Sequence, residues 1–120
     1  MERIKFTVQG ELPGLNEIIA AAKSHYGQYA GMKKTYTDLV VWQVKGECIE
    51  RCNVTLTWYA KNQKRDPDNI SMGCKFVLDG LVKAGILKND GWKQIAGITH
   101  RFKIDKNNPR VEVELKGEGE

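Results

Sequence analysis

No stretch of this sequence stays apolar for the roughly 20 residues that a membrane-spanning helix needs. The N-terminal run Met1-Glu2-Arg3-Ile4-Lys5-Phe6 has no apolar signal-peptide centre and already alternates like a strand, so a cytoplasmic protein without membrane attachment is expected. Cysteine is scarce. Cys48, Cys52 and Cys74 make an odd set of three with no Cys-x-x-Cys pair, which argues against a disulfide framework. His25 and His100 add no zinc-site spacing to them, and buried or half-buried thiols are expected. Two histidines also leave no Ser-His-Asp or Cys-His arrangement to assemble, and no nucleotide-binding glycine signature is present. Repeats, low-complexity blocks and linkers are missing as well. The 120 residues therefore read as a single domain, 1–120, with a frayed tail over 116–120.

What is present is an ordinary folded composition, 41% hydrophobic and 28% charged, with a net charge of +4. A basic balance favours polyanionic partners through counterion release. Its distribution is more informative. Lys61, Lys64 and Arg65 lead into the pair Asp66 and Asp68, and Lys75, Lys83, Lys88 and Lys93 follow. Acids within a basic surround are what a phosphate-handling metal site requires, although a solvated loop and helix face would carry the same charges.

Periodicity divides the chain into strands and helices. Ile4, Phe6 and Val8 alternate with polar residues and predict a half-exposed first strand, ended by Pro13-Gly14. Asn16 is placed to cap a short helix through Ala22, interrupted by Gly27 and Gly31. Tyr36, Val40, Val44 and Cys48 recur every four residues, which predicts one apolar face of a second helix. Val54, Leu56 and Trp58 mark a second strand. Ile70, Cys74, Val77, Leu78 and Leu81 share a helical face that stops at Gly85, and 95–104 and 111–115 read as two more strands. The fold class expected is α+β: a mixed sheet of about four strands packed with helices, with the strand order left open. On the helix over 69–83, Met72 and Phe76 face away from Leu78 and Leu81, beside an Asp79–Lys83 pair one turn apart. That face is expected to be a dimer interface.

The carboxylates carry two readings. Asp66-Pro67 opening a helix is a capping arrangement, with Asp68 favouring the positive helix end. Asp90-Gly91 is a common turn dipeptide. Taken together, Asp66 and Asp68 begin a helix and Asp90 lies in the loop that leaves it. If the chain brings the three together, their mutual repulsion calls for a cation. Such hard oxygen ligands suit Mg²⁺ or Mn²⁺, which activates water and stabilises a leaving oxygen.

The run Arg65-Asp66-Pro67-Asp68-Asn69, then Lys75-x-x-x-Asp79 with Leu81, Lys83-Ala84-Gly85 and Asp90, resembles the core of the RusA-type Holliday-junction resolvases. The motif-bearing part spans about Lys64 to Ile95. The resemblance implies a homodimeric, metal-dependent endonuclease that resolves four-way junctions by paired nicks in DNA recombination or repair, often in prophages. It implies Asp66, Asp68 and Asp90 as the metal-binding catalytic carboxylates and Lys75 as the lysine that stabilises charge on the phosphate or departing oxygen. Asn69 would support the site, while Lys61, Lys64 and Arg65 would contact the DNA. The lysine stands seven residues after the second aspartate here, not four, and is aligned through its spacing to Asp79. Two other readings stay open: a metal-dependent nuclease for other branched DNA, and a non-catalytic nucleic-acid-binding module whose Trp58, Tyr59 or Trp92 stacks on bases.

Overall fold

Four segments alternate apolar and polar residues, and in the computed structural model, which describes residues 2–25 and 27–118, all four join one sheet. The strands are β1 (Arg3–Gln9), β2 (Cys52–Ala60), β3 (Ile95–Ile104) and β4 (Arg110–Gly117). Their order is β1-β4-β2-β3. β4 runs antiparallel to both β1 and β2, whereas β2 and β3 are parallel. A parallel pair needs a crossover connection. Two helices between those strands supply it, α3 (Pro67–Ser71) and α4 (Cys74–Lys83). Before them come α1 (Leu15–Lys23) and α2 (Gln28–Gln43).

One face of the sheet is core. Val54, Leu56 and Trp58 of β2 are buried beside Val111, Val113 and Leu115 of β4 and Phe6 and Val8 of β1. The opposite face is polar, with Thr7, Thr55, Thr57, Glu112 and Glu114 bordering an open hollow. Arg3 and Lys5 both pair with Glu114 there at 3.5 Å. Period-two alternation thus decides which side meets the helices.

The helical layer corrects several expectations. α2 starts at Gln28 and carries Gly31 within it; it ends at Gln43, so Cys48 falls beyond the helix and is exposed. Cys52 is buried and Cys74 half-buried, and burial pushes both thiols up from their ordinary pKa. The helix expected over 69–83 is two helices with a corner at Gly73. A Cβ on Gly73 would stand 3.1 Å from the Trp58 ring and 3.2 Å from Leu12, so a glycine lets the corner sit close on β2.

Phe76 does not face outward. It is fully buried, its ring 5.7 Å from that of Tyr36 on α2, and it belongs to the core of its own chain. α4 packs against α2, which itself meets β1, so the side of α4 expected to be free is covered; Gly80 approaches Val40 closely there. Met72, just beyond the end of α3, remains 41% exposed. The expected Asp79–Lys83 pair also gives way. Lys83 pairs with Asp38 of α2, while Asp79 lies 3.7 Å from Lys33 and 3.9 Å from Lys75. Lys83, with Lys34, holds the Asp38 carboxyl below its usual range. Nor does the chain fray at Lys116. β4 continues to Gly117, whose N–H donates to the Glu2 carbonyl, and the Glu118 N–H donates to the Arg51 carbonyl. Residues 119–120 of the expected tail lie outside the described residues.

Candidate active site

β2 delivers the chain to a short polar loop, 61–65, and the first helical residue after it is proline. Pro67 at the start of α3 leaves Asp66 at the N-cap with an extended backbone (φ −71°, ψ 155°). Yet the Asp66 side chain makes no capping hydrogen bond. Its carboxylate is exposed and uncommitted. Asp68, the second residue of α3, is exposed too, and its Oδ1 accepts the N–H of Asn69 at 2.9 Å. The cap reading accounts for the position of Asp66 but not for its free oxygens.

Asn69 is buried, unlike Asp66 and Asp68. Its Oδ1 accepts the Asn16 N–H at 3.0 Å, one of the otherwise unsatisfied donors at the start of α1. The approach is so close that a Cβ on Gly14 would meet that oxygen at 2.5 Å. Asn69 therefore ties α1 to α3 and fixes the segment that bears both aspartates.

Arg65 is held by acids that sequence reasoning did not single out. Its guanidinium lies 3.2 Å from Glu17 and 3.4 Å from Glu11, and also donates to the Leu12 carbonyl at 3.1 Å. Glu17 in turn accepts the Gly14 N–H at 2.8 Å, the backward half of a capping box. Arg65 is thus a strut between the loop and α1. Lys61, which lies 3.5 Å from Glu11, and Lys64 remain exposed cations on the loop. Only the Gly14-x-x-Glu17 spacing hinted at these acids, since pairing across 48 residues leaves no local trace.

Asp90 is elsewhere. It precedes β3 by five residues, and β3 begins beside Cys52, at the opposite end of β2 from Ala60 and Asp66. Arg51 marks that end by donating to the Trp92 carbonyl at 2.7 Å. The nine residues of β2 span roughly 26–30 Å, and the crossover through α3 and α4 covers that length. Asp90 is exposed, with its N–H bonded to the Asn89 side chain at 2.9 Å. Among the described residues, no three His, Cys, Asp or Glu side chains gather where a metal could sit. The oxygen donors suit Mg²⁺ or Mn²⁺ in kind, but one chain brings only two of the three aspartates together.

Lys75 opens α4 beyond the Gly73 corner, so the longer spacing from Asp68 is taken up by the turn between the helices. Its ammonium is turned along α4 toward Asp79 at 3.9 Å. Of the aromatics, Trp58 is buried with its Nε1–H donating to His100 Nδ1 at 2.9 Å, and Arg110 covers the Tyr59 ring at 3.8 Å. Trp92 is 94% exposed. A hollow of about 340 Å³ joins Asp66 and Pro67 to Trp58 and to Phe102 and Ile104 of β3.

A small α+β domain that presents two exposed carboxylates at a helix start, with lysines on the adjoining loop, is equipped as a phosphate-handling hydrolase. The family model of endodeoxyribonuclease RusA matches residues 17–116, and this chain belongs to that family. No curated protein matches it. The chain is accordingly an endodeoxyribonuclease, and its family implies a Holliday-junction-resolving activity on branched DNA. Membership removes the reading of a non-catalytic module. No helix among the described residues is long and apolar enough to cross a membrane.

Proposed function

We propose that this chain resolves four-way DNA junctions by paired, Mg²⁺- or Mn²⁺-dependent phosphodiester hydrolysis, acting as a homodimer in DNA recombination or repair. Asp66 and Asp68 form one part of the metal site and Asp90 the other. The observation that carries this reading is the Asp66 carboxylate, which occupies a cap position and yet makes no cap bond. A bound divalent ion would supply an activated water and charge stabilisation at the phosphate. The protein's own share is to hold the carboxylates. Asn69 and the Arg65 strut fix the loop–helix junction, while Lys61 and Lys64 attract the DNA backbone. Lys75 would stabilise charge on the phosphate or the departing oxygen after swinging away from Asp79, to which only a long contact holds it.

The test compares cleavage of a mobile four-way junction with that of a linear duplex of equal length, with Mg²⁺ and with chelator. Cleavage is expected on the junction alone and only with metal. Asp66→Asn, Asp68→Asn and Asp90→Asn are each expected to abolish it while junction binding and melting temperature stay near wild type. Wild-type cleavage by any of them would return that residue to a cap or turn role. Equal cutting of flaps or splayed arms would shift the substrate to branched DNA in general.

A further inference from the structure

Two tryptophans stand clear of the core, Trp42 on α2 and Trp92, and only Trp92 adjoins a residue assigned to the site. It is 94% exposed, the barest large apolar side chain among the described residues. It follows Asp90 by two residues, so their Cα atoms lie at most about 7 Å apart. The loop that carries it is fastened on both sides of the ring. Arg51 donates to the Trp92 carbonyl at 2.7 Å and to the Lys93 carbonyl at 3.2 Å, and Glu118 holds the same guanidinium at 3.0 Å. The N–H groups of Gln94 and Ile95 both donate to the Gly91 carbonyl, at 3.1 and 3.0 Å. The Cys52 N–H donates to the Gln94 carbonyl at 2.9 Å, which ties the loop to the start of β2. The backbone is therefore positioned while the indole is left in water, where it contributes almost no burial to the fold.

We propose that Trp92 stacks on an unpaired base at the branch point of the DNA and thereby selects branched over linear substrates. This rests on the reading of Asp90 as a metal ligand, which places the scissile phosphate beside this loop. A nucleotide offers a charged phosphate and a flat apolar base, and the loop has a counterpart for each. Lys88 and Lys93 are exposed cations on either side of the exposed ring. In a linear duplex every base face is covered by the next pair, and opening one costs its stacking energy. At a crossover the DNA's own stack is interrupted, and the indole replaces the missing neighbour. Because every base has a π-face, such a contact reads geometry and tolerates sequence. A protein surface is the poorer occupant. Lys88, Asn89, Asp90 and Lys93 surround the ring in sequence, and the centres of protein interfaces are depleted of charge.

The experiment measures affinity for a four-way junction and for a linear duplex of equal length, in chelator so that nothing is cut. Trp92→Ala is expected to weaken junction binding by about 5- to 150-fold, the usual cost of one lost base–aromatic stack, and to leave duplex binding unchanged. Trp92→Phe keeps a π-face and is expected to recover most of that loss; Trp92→Leu, apolar without one, is not. In a Trp42→Phe chain, adding the junction is expected to quench tryptophan emission more than adding the duplex. Melting temperature and sedimentation should match wild type in all three Trp92 variants, because the indole covers so little. Junction binding unchanged in Trp92→Ala overturns the proposal. Equal weakening on junction and duplex overturns the selection of branched DNA, and Trp92→Leu binding as well as Trp92→Phe overturns the stacking. A smaller sedimenting species in Trp92→Ala would assign the ring to a protein contact instead. Binding is read without metal, so each of these failures leaves the Asp90 reading intact. Wild-type cleavage by Asp90→Asn overturns that reading, and with it the placement of Trp92 at the cleaved branch.

Discussion

At the scale of single residues, position and commitment have to be separated. Asp66 occupies a cap position without capping, whereas Arg65 resembles a free phosphate contact and is bound by Glu11 and Glu17. Lys75 lies between these cases, because its contact with Asp79 is long and its side chain 41% exposed. Lys75→Ala is expected to slow single-turnover junction cleavage by about 10²–10³-fold, the usual cost of losing one electrostatic stabiliser, with binding changed far less. Equal losses in rate and binding would make Lys75 a phosphate anchor only. His100 gives a pH signature. Burial lowers its pKa from the ordinary 6.5, and Nδ1 must stay unprotonated to accept the Trp58 N–H. As pH falls, the unfolded chain binds that proton before the folded one does. Stability is therefore full above about pH 6.5 and declines from there down to the folded-state pKa, below which this loss stops growing. Thermal melts between pH 7.5 and about 5 should show this decline in the wild type and less of it in His100→Gln. An unchanged slope would assign the effect to other groups.

At the scale of elements, the helices are positioned by glycines at their closest approaches. A Cβ on Gly80 would fall 2.5 Å from Val40 Cγ1, 2.6 Å from Val40 Cβ and 3.2 Å from the Thr37 carbonyl oxygen. Val40 is fully buried, and its Cβ is attached directly to the α2 backbone, so no rotamer relieves the contact. Alanine would gain about 1 kcal/mol in helix propensity, but overpacking of this kind costs roughly 1–3 kcal/mol, and a rigid neighbour favours the upper part of that range. Gly80→Ala is thus expected to lower stability in urea unfolding, and Val40→Ala in the same chain to recover part of the loss. Simple additivity of the two changes would show that α2 and α4 do not meet there. The same tight contact explains Phe76. Helical periodicity predicts which residues of α4 share a face, and it is silent on whether a second helix covers the other face.

At the scale of the whole molecule, the β2–α3–α4–β3 crossover sets the geometry of the site. Parallel strands joined by a helical return start at one end of the sheet and finish at the other. Asp66, which follows β2, and Asp90, which precedes β3, are thereby held apart within one chain. The helical layer buries the facing residues of β1, β4 and β2 and leaves Ile98, Phe102 and Ile104 of β3 exposed.

Much of this protein was legible in its residues because local patterns are set by local geometry. Period-two alternation located all four strands and the buried faces of β1, β2 and β4, and Pro67 located the start of α3. The run Arg65 to Asn69 with Lys75, Asp79 and Asp90 was enough to point to the family that the match over residues 17–116 shows. Tertiary structure decided what depends on contacts between distant segments. It set the strand order, placed Phe76 under Tyr36 and turned Lys83 to Asp38. It tied Arg65 to acids 48 and 54 residues away and sent Asp90 to the far end of the sheet. The physical reason is the same in each case. Side-chain periodicity follows from the rise and turn of a single element, whereas burial and pairing follow from which other element arrives beside it.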